Sequence, residues 1–201
     1  MKLRDLKNLI KKPYFDRLDL DFLEEKVYNY QISLWKKNEE IVRLKRGLYV
    51  FSDQKKDLSS KEVAFLIYQP SYISLEYALS YYKIIPEAVF AITSVSTKTT
   101  RKFSNDFGVF LYSKIKANLF FGYKSYQTEN GKYLLATPEK ALLDYLYLNL
   151  GKIENEDDIE EIRINYEELG KLITKKRFRE YLKEFKIKKL NKIANIILQK
   201  C

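Results

Sequence analysis

LLATPEKALLDYLYLNLG, residues 134–151, decides how the rest of the chain is read. Thr137 can cap a first helical turn through its hydroxyl, and Pro138 brings a preset φ to a position that needs no N–H donor. Glu139 adds negative charge where the helix dipole is positive. From Ala141 to Leu150 the chain is apolar or aromatic on nearly every side, interrupted only by Asp144 and Asn149, and Gly151 suits a helix end. A helix apolar all round belongs in a core, so this stretch predicts the packing centre of a domain. Lys140 and Asp144 stand one turn apart and suit a pair along the helix surface. Asp144 as a catalytic carboxylate would need partners that the sequence does not offer, and it is read as structural.

Upstream of this helix, four runs are strand-like: residues 89–94, 108–112, 119–123 and 132–136. The turn Glu129-Asn130-Gly131 before the last is a hairpin signal. Helices are expected over 60–68, capped by Ser60 and stopped by Pro70, and over 72–82, closed by Ile84-Ile85-Pro86-Glu87. The middle of the chain is therefore α+β, with an antiparallel sheet. Between the first two strands, residues 93–102 (TSVSTKTTRK) hold three cations and six hydroxyls. On a flexible loop Lys98, Arg101 and Lys102 suit phosphate contacts, and a solvated hairpin loop would look the same.

Downstream, the acidic run 154–161 lacks the alternating Asp/Asn and Gly of a calcium loop and reads as a surface loop or helix start. Helices follow over 166–173, 175–185 and 188–199. Residues 171–201 hold eleven Lys/Arg against two Asp/Glu, net +9. Lys175, Lys176, Arg177 and Arg179 in this basic end are candidates for phosphate or acidic-partner contacts.

At the other end, Leu3, Leu6, Leu9 and Ile10 repeat at helical spacing and Pro13 stops them. A short helix is expected around residues 22–26. A third is expected over 27–38, with Val27, Tyr30, Leu34 and Trp35 facing inward. Residues 41–51 (IVRLKRGLYVF) form two β-prone runs around Lys45-Arg46-Gly47, a hairpin with glycine where φ > 0 is needed. Three helices and a basic-tipped hairpin are the order of a winged helix-turn-helix. Its third helix would present Asn29, Gln31, Ser33, Lys36 and Lys37 to base edges, and its wing would put Arg43, Lys45 and Arg46 beside phosphates. A winged helix used only for protein contact, with solvated wing charges, is the alternative. Residues 1–52 carry twelve Lys/Arg and eight Asp/Glu, so charge alone does not choose. Residues 53–60 are polar and aperiodic and read as a linker, leaving 61–201 as the second domain with its C-terminal helices.

Composition bounds the chemistry. The 201 residues, 46% hydrophobic and 15% aromatic, can bury a core, and the net charge of +10 favours a polyanion as partner. No histidine is present, which removes Ser–His and Cys–His catalysis and histidine metal sites. Cys201 is the sole cysteine, so no intrachain disulfide can form. The six glycines make neither a dinucleotide fingerprint nor a P-loop, and Asp106-Phe107-Gly108 reads as a turn. No apolar signal core or long uncharged apolar run is visible, so a cytoplasmic protein without membrane contact, cofactor or metal is expected. A carboxylate-metal nuclease on Glu76, Asp106, Glu139 and Asp144 lacks a recognisable spacing.

Several blocks resemble the AbiEi-type antitoxins of bacterial abortive-infection systems. Lys45-Arg46-Gly47-Leu48-Tyr49 is similar to that family's KRGxY wing. Ser74-Leu75-Glu76-Tyr77-Ala78-Leu79 with Ile85-Pro86-Glu87 resembles its SLxxAL…IPE block. Thr93-Ser94, Phe121-Gly122 and finally residues 136–144 (ATPEKALLD) follow in order, the last being the most specific. Together they span most of residues 40–150. The resemblance implies a non-catalytic antitoxin encoded beside a nucleotidyltransferase-like toxin. Its winged helix would bind double-stranded operator DNA and repress the shared operon, and its C-terminal domain would serve neutralisation.

Overall fold

The computed structural model describes residues 1–201. The chain opens with α1 (Leu3–Leu9), β1 (Tyr14–Asp16), α2 (Arg17–Asp21), α3 (Asn29–Lys37), β2 (Ile41–Lys45) and β3 (Leu48–Phe51). This is a winged helix-turn-helix whose sheet has the order β1-β3-β2, antiparallel throughout. The second helix starts earlier than residues 22–26 because Asp16 and Asp19 form a reciprocal capping box that sets its first turn. Gly47, at φ +79, turns the hairpin.

The small sheet is covered on both faces. Phe15, Ile41 and Phe51 pack with Leu3, Leu6, Ile32 and Trp35 of the helices, and Phe15 stacks on Tyr49. Leu44, Leu48 and Val50 instead join a 40-residue apolar cluster built by the rest of the chain, and Tyr14 packs against it. Strand alternation supplies both sets. Where a linker was expected, Ser52–Asp57 is a 3-10 helix, and Leu58 enters the large cluster.

The large cluster centres on a six-stranded sheet of order β6-β7-β5-β4-β9-β8. Its strands are β4 (Ser71–Ile73), β5 (Ile92–Ser96), β6 (Arg101–Asn105), β7 (Gly108–Lys114), β8 (Tyr123–Gln127) and β9 (Lys132–Ala136). The sheet is mixed rather than antiparallel, with β5/β7 and β4/β9 running parallel. Tyr72 and Ile73, expected as the start of a helix, instead belong to the central strand β4; buried on both faces, Ser71–Ile73 shows no alternation in sequence. Arg101 and Lys102, expected in a loop, open the edge strand β6, which is hairpinned to β7 through Asp106-Phe107. The run expected over 119–123 instead ends a 3-10 turn (Ala117–Leu119), and the strand begins at Tyr123.

Helix α4 (Ser60–Ile67) is capped by Ser59, not Ser60, in a capping box with Glu62. It covers the face from which Tyr112 donates to the Ala64 carbonyl. Helices α5 (Leu75–Tyr81) and α6 (Pro138–Leu148) cover the other. Thr137 caps α6 as its sequence indicates, accepting from the Lys140 N–H. Helices α7 (Glu156–Glu160), α8 (Tyr166–Leu172), α9 (Lys175–Phe185) and α10 (Lys188–Lys200) complete the chain. Phe178, Leu182 and Phe185 of α9, and Leu190, Ala194 and Ile197 of α10, join the same core as α6. No helix is long and apolar enough to cross a membrane.

Candidate nucleic-acid interface

Helix α3 buries Ile32 and Trp35, one turn apart, against the helices and sheet of the winged domain. That choice sets the outward face as Asn29, Tyr30, Ser33, Leu34, Lys36 and Lys37, all exposed. Tyr30 and Leu34 were expected inside. They lie outside because the indole of Trp35, with Ile32 beside it, takes the inward side of a nine-residue helix. Gln31 is not free to meet a base: its Oε1 accepts from the Tyr28 N–H and its Nε2 donates to the Met1 carbonyl. It secures the helix start and ties it to the chain terminus.

In the wing, Arg43 and Arg46 are exposed and make no ion pair within the chain. Lys45 turns the other way. Its Nζ donates to the Ile67 carbonyl at 2.7 Å, at the C-terminal end of α4, where the helix dipole is negative. Burial, aided by nearby Lys98, pushes its pKa below the usual lysine value. The wing is further fastened by Asn105, whose Nδ2 donates to the Leu44 carbonyl. Lys45 therefore docks the wing and does not reach for phosphate.

The cationic loop also divides. Thr93, Ser94 and Ser96 are buried; Thr93 accepts from the Tyr77 N–H and donates to the Ser74 carbonyl, holding α5 on the sheet. Lys98, Arg101 and Lys102 remain exposed, Lys98 over the Tyr68 ring and the other two on edge strand β6. At the basic end, Lys175 donates to the Leu198 carbonyl and Arg177 sits 3.6 Å from the Glu139 carboxylate. Lys176 and Arg179 are exposed and unpaired.

The carboxylates considered for a metal site are scattered. Asp144 is fully buried: its Oδ2 accepts from Tyr72 and Ser74 hydroxyls, each at 2.9 Å, and its Oδ1 pairs with Lys140. This is not the surface pair that the spacing indicated, since neither side chain is exposed. The Lys140 ammonium is enclosed by the rings of Phe121, Phe185 and Tyr72. Glu139 accepts from the Thr174 N–H and so caps α9, while Asp106 pairs with Lys55. No three acidic or cysteine side chains converge as a metal site.

Neither a family model nor a curated protein matches this chain.

Sequence reasoning missed Arg17. It is exposed on α2, and its side chain lies 3.7 Å from where a Cβ on Gly47 would stand. It lines both a cleft of about 350 Å³ beside the start of α3, shared with Lys26 and Asn29, and one of about 260 Å³ beside Arg46 at the wing tip. Arg17 thus links the third helix to the wing. Only the pairing of β1 with β3 brings it there, and no local pattern around residue 17 signals it.

Proposed function

We propose that this chain is a DNA-binding antitoxin, a winged-helix repressor of its own operon that counteracts a nucleotidyltransferase-like toxin. The DNA half is carried by one observation. The outward face of α3 and the adjoining wing expose Asn29, Ser33, Lys36, Lys37, Arg43 and Arg46, with Arg17 between them and no acidic residue within α3. Short polar groups on a helix flanked by free cations suit major-groove reading with phosphate anchoring. The toxin half is supported by the resemblance of residues 45–49, 74–87 and 136–144 to the AbiEi-type blocks. Repression of an operon implies a cytoplasmic location.

The test is binding to duplex DNA from the region upstream of the gene, followed by fluorescence anisotropy across a salt series. Arg43→Ala and Arg46→Ala are each expected to lower the salt slope by about one. Lys45→Ala should leave the slope unchanged and lower thermal stability, because its ammonium serves the Ile67 carbonyl. Absence of binding at moderate salt overturns the DNA half; a neighbouring gene without a nucleotidyltransferase fold overturns the toxin half. A second reading, a module that masks an acidic protein surface, is favoured by Lys176, Arg179 and Lys183, exposed on α9 without ion-pair partners. Charge reversal there, with co-purification of the neighbouring gene product as readout, separates the two.

A further inference from the structure

We infer that Tyr30 and Leu34 read thymine methyl groups in the major groove, an inference that rests on the DNA-binding reading above. Both sit on the outward face of α3, 68% and 51% exposed. They are one turn apart, with Ser33 and Lys37 on the same face. The opposite side is fully used by Ile32 and Trp35, so neither residue can turn inward without displacing the core.

Two apolar side chains set among amides, hydroxyls and cations suit a surface that is mostly polar with isolated apolar points. The floor of the major groove is such a surface, its one apolar group being the thymine C5-methyl. The core of a protein interface would instead be depleted of charge, whereas α3 ends in Lys36 and Lys37 and holds no carboxylate between Asn29 and Lys37. The helix fits the groove: with its side chains an α-helix is roughly 10–12 Å across, against a groove about 12 Å wide. Tyr30 is also braced, its ring stacked on Tyr28 with centroids 5.9 Å apart, and Tyr28 lies under the Lys26 ammonium. A braced ring loses little freedom on binding.

The upstream duplex is amplified once with thymidine triphosphate and once with deoxyuridine triphosphate, so that the two differ only in the methyl groups. The wild-type protein is expected to bind the uracil duplex about fourfold more weakly for each methyl contacted, the worth of one buried methyl-sized group, with an unchanged salt slope. Leu34→Gln and Tyr30→Ala change exposed positions and leave the core intact. Each should weaken binding to the thymine duplex and narrow the gap between the two. Equal binding of both duplexes by the wild type overturns the inference while leaving the DNA reading intact. A gap of undiminished size in both variants also overturns it, since the methyl would then act through DNA stiffness. Binding to neither duplex removes the DNA reading and this inference together.

Discussion

Lys140 and Asp144 show how much a residue's meaning depends on what covers it. Burial pushes the Lys140 pKa down and the Asp144 carboxyl up, while each charge opposes the other's shift. Two hydroxyls complete the acceptor shell of the carboxylate, and three aromatic rings face the ammonium. A buried pair of this kind is costly to break on one side and far less costly to replace whole. Lys140→Met alone is expected to destabilise by about 3–5 kcal/mol, because it strands a carboxylate. Asp144→Asn alone strands an ammonium and should cost a similar amount. The double variant leaves a neutral amide that still accepts from Tyr72 and Ser74, so its cost should fall well short of the sum. Urea denaturation of the four proteins measures the coupling; additive costs would show that the pair is not interacting.

Among the elements, the wing carries the largest consequence. The pattern of residues 41–51 makes the hairpin evident, and its alternation marks one apolar face; nothing in it shows that the other face is also covered. Leu44, Leu48 and Val50 tie the wing to the large cluster, so the winged helix and the six-stranded sheet share apolar contacts instead of meeting across a linker. Leu48→Asp places a charge in that contact without touching Phe15, Ile41 or Phe51. It is expected to split one calorimetric unfolding transition into two, the first belonging to residues 1–51. A single, merely lowered transition would show that the two parts unfold together regardless. Elements with strong local signals lie where their sequence places them: α9 with its alternating charged and apolar faces, α10, β9 and the Thr137 cap of α6. Tyr72 misled because a strand buried on both sides, next to a helical run, carries no period of its own.

For the molecule as a whole, charge and buried tyrosine matter most. The basic end is partly matched from within. Lys200 pairs with Glu160, and Lys189 and Lys192 line a cleft with Glu154 and Glu156. The +9 excess counted along residues 171–201 therefore overstates the free cationic surface. Of the 17 tyrosines, Tyr72, Tyr82 and Tyr112 have pKa values raised chiefly by burial. Their folded values lie above the unfolded value of about 10. Below that pH both states keep the proton and stability is undiminished; above it only the unfolded chain releases it, so stability falls as pH rises. Alkaline titration should show a last group of tyrosines ionising only as circular dichroism is lost. Complete ionisation before any loss of structure would contradict this.

Local pattern was enough for the α+β class, the winged order of the first fifty residues, the Thr137 cap and most helix spans, because helix and strand periods and capping chemistry act over a few residues. Composition was enough to exclude histidine chemistry. Tertiary packing alone decided which side of α3 faces out, that Gln31 and Lys45 are spent on the chain's own carbonyls and amides, that Arg17 joins the wing to the third helix, and that the Lys140–Asp144 pair is sealed from water. Each of these depends on which distant surface covers a residue. The helix beginning Ala-Thr-Pro-Glu could be read as a core helix from its own residues. What it holds, a buried ion pair on one side and the cap of α9 on another, follows from strands and helices as far away as Tyr72 and Thr174.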